Sequence, residues 1–167
     1  QIQAEAFRRQ LRWAKQYKLP VAIHSRNSFD EIFSILEEEK TADLRGVLHC
    51  FTGGKSHVVK ARELGFYMGI GGVVTYAGSG VDHVLKRIEL SEMLLETDAP
   101  YLAPNPHKSE RNEPAFLPYI AKAIAEIKGV SVEEVVEITS ANAKKTKRAI
   151  VPQSWIGAVF KSANQWR

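Results

Sequence analysis

Three side chains of types that bind metal ions each follow a short apolar run. They are His24, His49 and Asp98, and the runs read Val-Ala-Ile, Gly-Val-Leu and Met-Leu-Leu. Such runs predict buried strands, and the polar residues that end them, His24 and His49 directly and Asp98 after Glu96 and Thr97, lie at the mouth of a rigid element. Two imidazoles and a carboxylate suit Zn²⁺, Mn²⁺ or Mg²⁺. A bound ion would activate water, and Asp98 could take the proton of that water, so the pattern predicts a hydrolytic metal site.

Helical and strand patterns alternate along the chain. Helices are predicted over residues 3–18, 28–40, 56–64, 81–88, 114–128, 131–138 and 141–150, and strands over 21–24, 46–49, 66–70 and 92–97. Capping-box pairs, Ser28 with Glu31 and Ser131 with Glu134, indicate two of the helix starts. Alternating strands and helices predict an α/β fold with a parallel sheet. In such folds the chemistry lies at the carboxyl ends of the strands, where the three candidate ligands are expected.

Two arginines are candidates for binding a phosphate group. Arg26 follows His24 closely, and Arg111 belongs to a long polar loop over residues 100–112. Loops of this length in compact domains are usually functional or disordered, and a guanidinium binds phosphate through its planar fork. The alternative for either residue is an ordinary surface arginine. His107, in the same loop, is a further candidate for substrate contact.

Other polar residues are interpreted as structural or supporting. Glu96 is two positions before Asp98, so on a strand both point the same way and one could support the other. Cys50 has no second cysteine and is assigned to packing. His57 and His83 fall in predicted helices and are expected to face solvent.

A glycine-rich stretch, residues 69–80, does not complete the dinucleotide-binding pattern G-x-G-x-x-G. Val74 stands where the third glycine belongs. We therefore expect no dinucleotide here. The glycines are interpreted as positions where the backbone passes close to a site.

Composition bounds the function classes. With 167 residues, 44% hydrophobic and 25% charged, the chain predicts one globular domain over residues 1–150 and a tail over 151–167 without an assignment. No run of about 18 apolar residues predicts a membrane span, and the start does not resemble a signal peptide. A single cysteine fits a reducing cytoplasm. The net charge of +4 mildly favours a polyanionic substrate. The basic residues of the helix predicted over residues 3–18 are interpreted as a solvated face. The missing initial Met suggests an excerpt of a longer chain.

The chain resembles the TatD family of metal-dependent deoxyribonucleases, which are relatives of the amidohydrolase superfamily. The resemblance covers roughly residues 1–145 and depends on four motifs in order: LPVAIHSR (19–26), GVLHCFTG (46–53), ETDAPYL (96–102) and RNEP (111–114). SANA (140–143) resembles the family's closing helix.

The resemblance implies a (β/α)8 TIM-type barrel with a divalent metal centre that hydrolyses DNA phosphodiesters. It implies that His24 and His49 bind metal, that Asp98 binds metal and handles the proton of the attacking water, and that the Arg111 region lies near substrate. A whole barrel needs about 250 residues, so the four predicted strands correspond to its C-terminal half. The family's His-x-His strand and metal-binding Glu would precede Gln1, and the chain by itself is therefore predicted to be weak or inactive.

Two alternatives stay open from the sequence. A metal-activated water serves carbonyls as readily as phosphates, so the bond cleaved could be an amide, ester or aminoacyl ester. The chain could also be a non-catalytic half-barrel that oligomerises, because half a barrel leaves two strand edges and an apolar face uncovered. Self-association is the corresponding expectation.

Overall fold

A parallel four-stranded sheet lies at the centre of the structure, a computed structural model that describes residues 2–148. The strands are β1 (Val21–His24), β2 (Gly46–His49), β3 (Tyr67–Ile70) and β4 (Met93–Leu95), and each pairs with the next along the chain. The helices are α1 (Ile2–Tyr17), α2 (Phe29–Glu38), α3 (Lys55–Glu63), α4 (Val81–Leu85), α5 (Leu117–Lys128) and α6 (Val132–Arg148), with 3₁₀ turns at Gly72–Thr75, Leu90–Glu92 and Pro114–Phe116. The α/β prediction and its four parallel strands are confirmed.

One face of the sheet is sealed against the helices by a single row of side chains. Ile23 pairs with Leu48, Leu48 with Met68, and Met68 with Met93, and none of the four exceeds 5% exposure. Buried side chains of the helices complete the core, among them Leu11, Phe33, Leu36, Val58, Ala61, Ile120, Ile124 and Val135. Side chains alternate between the two faces of a strand, so this row leaves His24 and His49 on the opposite face.

Acidic residues at the end of α2 neutralise the basic face of α1. Arg8 lies 2.6 Å from Glu38, and Arg12 and Lys15 lie 2.8 and 2.6 Å from Glu39. Hydrogen bonds from Lys15 and Arg12 lower the pKa of Glu39. These three cations are therefore paired within the fold, and the Arg8 and Lys15 side chains are only 27% and 22% exposed, so the interpretation of a solvated helix face is only partly correct.

The C-terminal part of the described chain corrects one prediction. Residues 131–138 and 141–150 were expected to form two helices, but α6 is continuous through Thr139. Thr139 donates a 2.7 Å hydrogen bond to the Val135 carbonyl, and buried Asn142 donates to the carbonyls of Leu90 and Met93, at 2.9 Å each. Tertiary contacts with the start of β4 hold together a segment whose sequence suggested a break. Residues 149–167, including the predicted tail, lie outside the described residues.

The capping boxes are only partly present. Ser131 accepts a 3.1 Å hydrogen bond from the Glu134 amide, as predicted. Ser28 makes no side-chain cap, and its hydroxyl lies 3.4 Å from that of Ser25 instead. A second polar side chain within reach therefore replaced the local bond that the spacing predicted.

Within residues 2–148 no helix is long and apolar enough to cross a bilayer.

The two helical histidines outside the candidate site differ in environment. His83 is 79% exposed in its side chain, which confirms the prediction. The His57 side chain is only 18% exposed and its ring stacks on Phe29 and Phe33, so the prediction of a solvent-facing residue is wrong. His57 Nδ1 also accepts the Gly54 amide at 3.0 Å, which places the ring over the first turn of α3.

Candidate functional site

His24 and His49 meet at the carboxyl ends of β1 and β2. They are direct partners in the strand register, and their ring centroids lie 6.0 Å apart. His24 is exposed and lines a cavity of about 640 Å³ between α1, β1 and α2, together with Arg26. The structure therefore brings together the two predicted imidazoles as neighbours on one rim.

Asp98 reaches the same rim from beyond β4. The strand ends at Leu95, earlier than the predicted residue 97, and Asp98 lies in the following loop with a φ of +57°. Its Oδ1 lies 3.0 Å from His49 Nε2. Two donors that each lie about 2.1 Å from one ion are separated by roughly 3 Å or slightly more. The spacing of this nitrogen and oxygen fits a shared divalent ion.

Glu96 contacts the other side of the His49 ring, although a whole strand lies between them. Its Oε2 lies 2.9 Å from His49 Nδ1, and its Oε1 accepts the Cys50 amide. The intervening residue of β3 is Gly69, and a Cβ built there would lie 2.5 Å from Glu96 Oε2. The carboxylate therefore crosses β3 through the space that the glycine leaves free. At Gly69 this agrees with the interpretation of a close approach to the candidate site, whereas a Cβ at Gly78 or Gly80 would meet nothing within 4 Å.

The charges around His49 fix how its ring is used. Burial alone lowers its pKa, but hydrogen bonds and charges from Glu96 and Asp98 outweigh burial and raise the pKa above its usual value. When the ring is neutral, a carboxylate on Nδ1 favours the tautomer whose Nε2 lone pair faces Asp98, as carboxylates behind metal-bound histidines do. Glu96 thus supports the His49 ring, a role that its spacing of two residues from Asp98 had only suggested.

Cys50 has a matching role in packing. Burial, then the negative charges of Glu96 and Asp98, raise the pKa of its thiol to about 11. A thiol with this pKa stays protonated near neutral pH and is a poor nucleophile. The raised pKa of the thiol therefore agrees with the expectation that Cys50 is not a nucleophile.

Backbone conformations outside the usual regions cluster at this rim. Within residues 2–148, five residues other than glycine have a positive φ: Lys18, Asn27, Cys50, Asp98 and Leu102. Lys18 ends α1, where a left-handed residue is common. The other four follow β1, β2 and β4, and such costly conformations concentrate at functional sites.

Arg26 and Arg111 are both exposed at the same edge. Neither guanidinium has a hydrogen-bond or ion-pair partner among residues 2–148, in contrast to the paired arginines of α1. Arg26 lies beside His24 in the cavity. Arg111 is followed by Asn112, whose side-chain amide donates to the carbonyl of Thr97, the residue before Asp98. Each is therefore free to meet an anion near the histidines or near Asp98.

The residue after Arg111 was not identified from the sequence. Asn112 is 2% exposed, and its side-chain amide donates to the carbonyls of Thr97 and Tyr101. Its own backbone amide donates to the Pro100 carbonyl at 3.1 Å. Asn112 therefore holds both sides of the Asp98 turn. Its places in a long polar loop and in the RNEP motif were the available indications, because no periodic pattern identifies a buried asparagine in a loop.

His107, the other candidate in this loop, packs within the loop's own structure. Its ring stacks on Phe116 with centroids 4.2 Å apart, and its Nδ1 lies 2.9 Å from Glu110 Oε1. Nε2 is buried without a partner among residues 2–148. These contacts give His107 a role in ordering the loop, and its predicted substrate contact stays a prediction.

The donor set fits a divalent ion through a pair of ligands and a neighbour. Within residues 2–148, no three His, Cys, Asp or Glu side chains converge closely enough to hold an ion by themselves. His49 Nε2 and Asp98 Oδ1 lie 3.0 Å apart, with His24 on the adjacent strand. Imidazole nitrogen and carboxylate oxygen are ligands that Zn²⁺ and Mn²⁺ accept together.

Comparisons with known proteins give relatives for this arrangement. The chain is 39% identical over 148 residues to the uncharacterized metal-dependent hydrolase YabD of Bacillus subtilis, which covers 88% of the chain and 58% of the relative. It is 37% identical over 151 residues to the 3'-5' ssDNA/RNA exonuclease TatD of Citrobacter rodentium, covering 87% of the chain and 57% of the relative. The crystal structure of the Escherichia coli TatD homolog YJJV superposes with a TM-score of 0.77 at 29% identity, covering 82% and 53% of the two chains.

These matches establish the family and the fold. The chain spans about half the length of the curated relatives it matches. The structural neighbour confirms the predicted barrel-type α/β fold. The model of the TatD related DNase family matches residues 1–147, and the chain belongs to that family.

Proposed function

We propose that this chain carries part of a metal-dependent hydrolytic site that cleaves phosphodiester bonds in single-stranded nucleic acid. The observation that carries the proposal is the contact of Asp98 Oδ1 with His49 Nε2, while Glu96 occupies the other ring nitrogen. Relatives named as metal-dependent hydrolases and as 3'-5' ssDNA/RNA exonucleases support the reaction and the substrate.

The proposed ligands are His24, His49 and Asp98. A divalent ion held by them would lower the pKa of water and polarise the phosphoryl oxygen. Asp98 accepts the proton that the attacking water loses, since its Oδ2 has no hydrogen-bond partner among residues 2–148. Glu96 keeps the His49 ring oriented, so that Nε2 faces Asp98 throughout.

Arg26 and Arg111 are proposed to hold the phosphate. Both are exposed, and neither is engaged by an acid of the described chain. A planar guanidinium donates two parallel hydrogen bonds to phosphate oxygens, which fixes orientation as well as charge. Arg26 would act from the β1 side of the rim and Arg111 from the Asp98 side.

A cleavage assay with labelled single-stranded DNA and RNA tests the proposal. The 167-residue protein is incubated with Mg²⁺, Mn²⁺ or Zn²⁺, with a chelator as the blank. We expect metal-dependent shortening of the oligonucleotide that Asp98→Ala abolishes. Asp43→Ala is the matched control, because Asp43 is an exposed carboxylate just before β2, at the opposite end of the strand from His49.

A substrate panel separates phosphodiester cleavage from the alternative chemistry. Aryl esters, amides and aminoacyl esters are offered under the same conditions. Metal-dependent cleavage of these compounds, with nucleic acid left intact, would replace the nuclease proposal by the carbonyl-hydrolase alternative.

We expect turnover to be weak compared with that of a full-length relative, because no three metal-ligating side chains of residues 2–148 converge closely enough to hold an ion by themselves. Metal occupancy is therefore the more direct measurement. Calorimetric titration with Mn²⁺ or Zn²⁺ should give one site that weakens in His49→Ala and in Asp98→Ala. Equal affinity in the wild type and both variants would exclude these residues as ligands.

Self-association and location complete the proposal. Among the described strands, β1 and β4 each have one neighbour, so each offers an unpaired edge that a second chain could extend. Analytical ultracentrifugation tests self-association, and a monomer at all concentrations would argue against it. The single cysteine fits a reducing cytoplasm, as in the sequence-based expectation.

A further inference from the structure

Tyr101 is an exposed aromatic side chain beside the candidate site. Tyr101 is 70% exposed, more than any other large aromatic residue among residues 2–148. It follows Asp98 by three positions, and its amide donates to the Asp98 carbonyl at 2.9 Å. A large aromatic ring is thus exposed to solvent on a residue whose backbone is hydrogen-bonded to that of Asp98, the proposed proton acceptor.

The exposure is not that of a loose loop. The Tyr101 carbonyl accepts the side-chain amide of Asn112, and the Asn112 backbone amide donates to the Pro100 carbonyl at 3.1 Å. Asn112 itself is 2% exposed and anchors these bonds from inside the fold. The backbone of Tyr101 is therefore fixed on both sides, so little conformational freedom would be lost when a ligand covers the ring.

We propose that Tyr101 is a stacking platform for a nucleobase of the single-stranded substrate, next to the phosphate that is cleaved. This inference rests on the proposed function and names the part of the substrate that the site contacts besides phosphate. Arg111 supplies charge for the backbone on the same loop. Aromatic stacking tolerates all four bases because every base has a π-face, so it favours bases in general over any sequence.

The test compares two ligands that share a backbone and differ in their bases. Fluorescein-labelled dT8 and an abasic deoxyribose-phosphate octamer are titrated by anisotropy at low salt, with Ca²⁺ present and no Mg²⁺, Mn²⁺ or Zn²⁺. We expect the wild type to bind dT8 more tightly than the abasic octamer. Tyr101→Ala should lose about 5- to 100-fold in dT8 affinity, the range typical of one stacked base, and keep its affinity for the abasic octamer.

Two further variants separate stacking from general damage. Tyr101→Phe keeps the ring and should keep the preference for dT8. Tyr17→Ala is the matched control, because Tyr17 is 63% exposed and ends α1 ahead of β1, away from Asp98. Thermal melts of all variants should coincide with the wild type, since neither ring is buried.

The outcomes distinguish this inference from the proposed function. Base-dependent binding that disappears only in Tyr101→Ala supports stacking even if no cleavage is ever detected. Equal loss for both octamers, an unchanged preference in Tyr101→Ala, or no binding of dT8 by the wild type overturns it, even if metal-dependent cleavage is observed. A 2-aminopurine in place of one thymine gives an independent signal, because stacking on Tyr101 should quench its fluorescence only when the ring is present.

Discussion

Replacing Gly69 by Ala should disable the candidate site without disrupting the fold. The new Cβ would lie 2.5, 2.7 and 2.8 Å from Oε2, Cδ and Oε1 of Glu96. All three end atoms of the carboxylate are too close, so rotating that group does not relieve the contact. The carboxylate must retreat by about 1 Å to reach an ordinary van der Waals separation.

A retreat of this size exceeds what the contacts of Glu96 can tolerate. Its Oε2 lies 2.9 Å from His49 Nδ1, and its Oε1 accepts the Cys50 amide. We expect metal affinity to fall about 10- to 100-fold, the usual effect of losing a carboxylate behind a metal-bound histidine. The free energy of unfolding should fall by about 1–3 kcal/mol, as for other overpacked positions.

Calorimetric titration with Zn²⁺ or Mn²⁺ and a thermal melt measure the two effects. Gly71→Ala is the matched control, because a Cβ there would meet Glu96 at 3.5 Å or more, and Gly71 has an extended backbone. In a Glu96→Ala background the added Gly69→Ala should have almost no further effect, since no carboxylate is left to displace. Wild-type affinity in Gly69→Ala, or equal losses in Gly71→Ala, would refute the reasoning.

Three other predictions concern the loop, an ion pair and the thiol. Asn112→Asp removes the donor shared by two carbonyls, so we expect the free energy of unfolding to fall by about 1–3 kcal/mol, measured by urea denaturation; an unchanged midpoint would contradict this. A hydrogen bond from Arg62 lowers the pKa of Glu92, so their pair should stabilise the fold fully above Glu92's unfolded pKa and lose its effect as pH falls through the lower folded value. Glu92→Gln should therefore cost up to about 1 kcal/mol at pH 7 and nothing at strongly acidic pH, and a pH-independent difference in melts would count against the pair. In metal-free protein the thiol of Cys50 has a pKa of about 11. Its alkylation should therefore be far slower at pH 8 in folded than in unfolded protein, and it should accelerate as the pH rises towards 11. Equal alkylation rates for folded and unfolded protein at pH 8 would contradict this.

The elements that position the site could be predicted from short-range patterns. Apolar runs that end in a polar residue identified β1 and β2 correctly. Few other sequence patterns suit a short strand that is buried on one face and ends at the rim of the sheet. The rim itself followed from topology, since parallel strands place their carboxyl ends together. The sequence alone was therefore enough to assign His24 and His49 to one edge of the sheet.

Boundaries and environments were harder to predict. The predicted break near residue 139 does not exist, because Asn142 and Thr139 satisfy their polar groups against β4 and the helix itself. His57 was expected in solvent, but aromatic residues of α2 cover its ring. Both errors concern contacts between segments distant in sequence, which local periodicity does not contain.

The sequence by itself indicated the four strands, their order along the chain and the candidate ligands that follow three of them. Only the tertiary structure decided that Glu96 supports His49, because the two residues are separated by β3 and by 47 positions in the chain. The physical reason is the missing side chain of Gly69, which opens a passage across the sheet for one carboxylate. A glycine in a strand is visible in any sequence, but the atom that fills its space depends on which strands become neighbours.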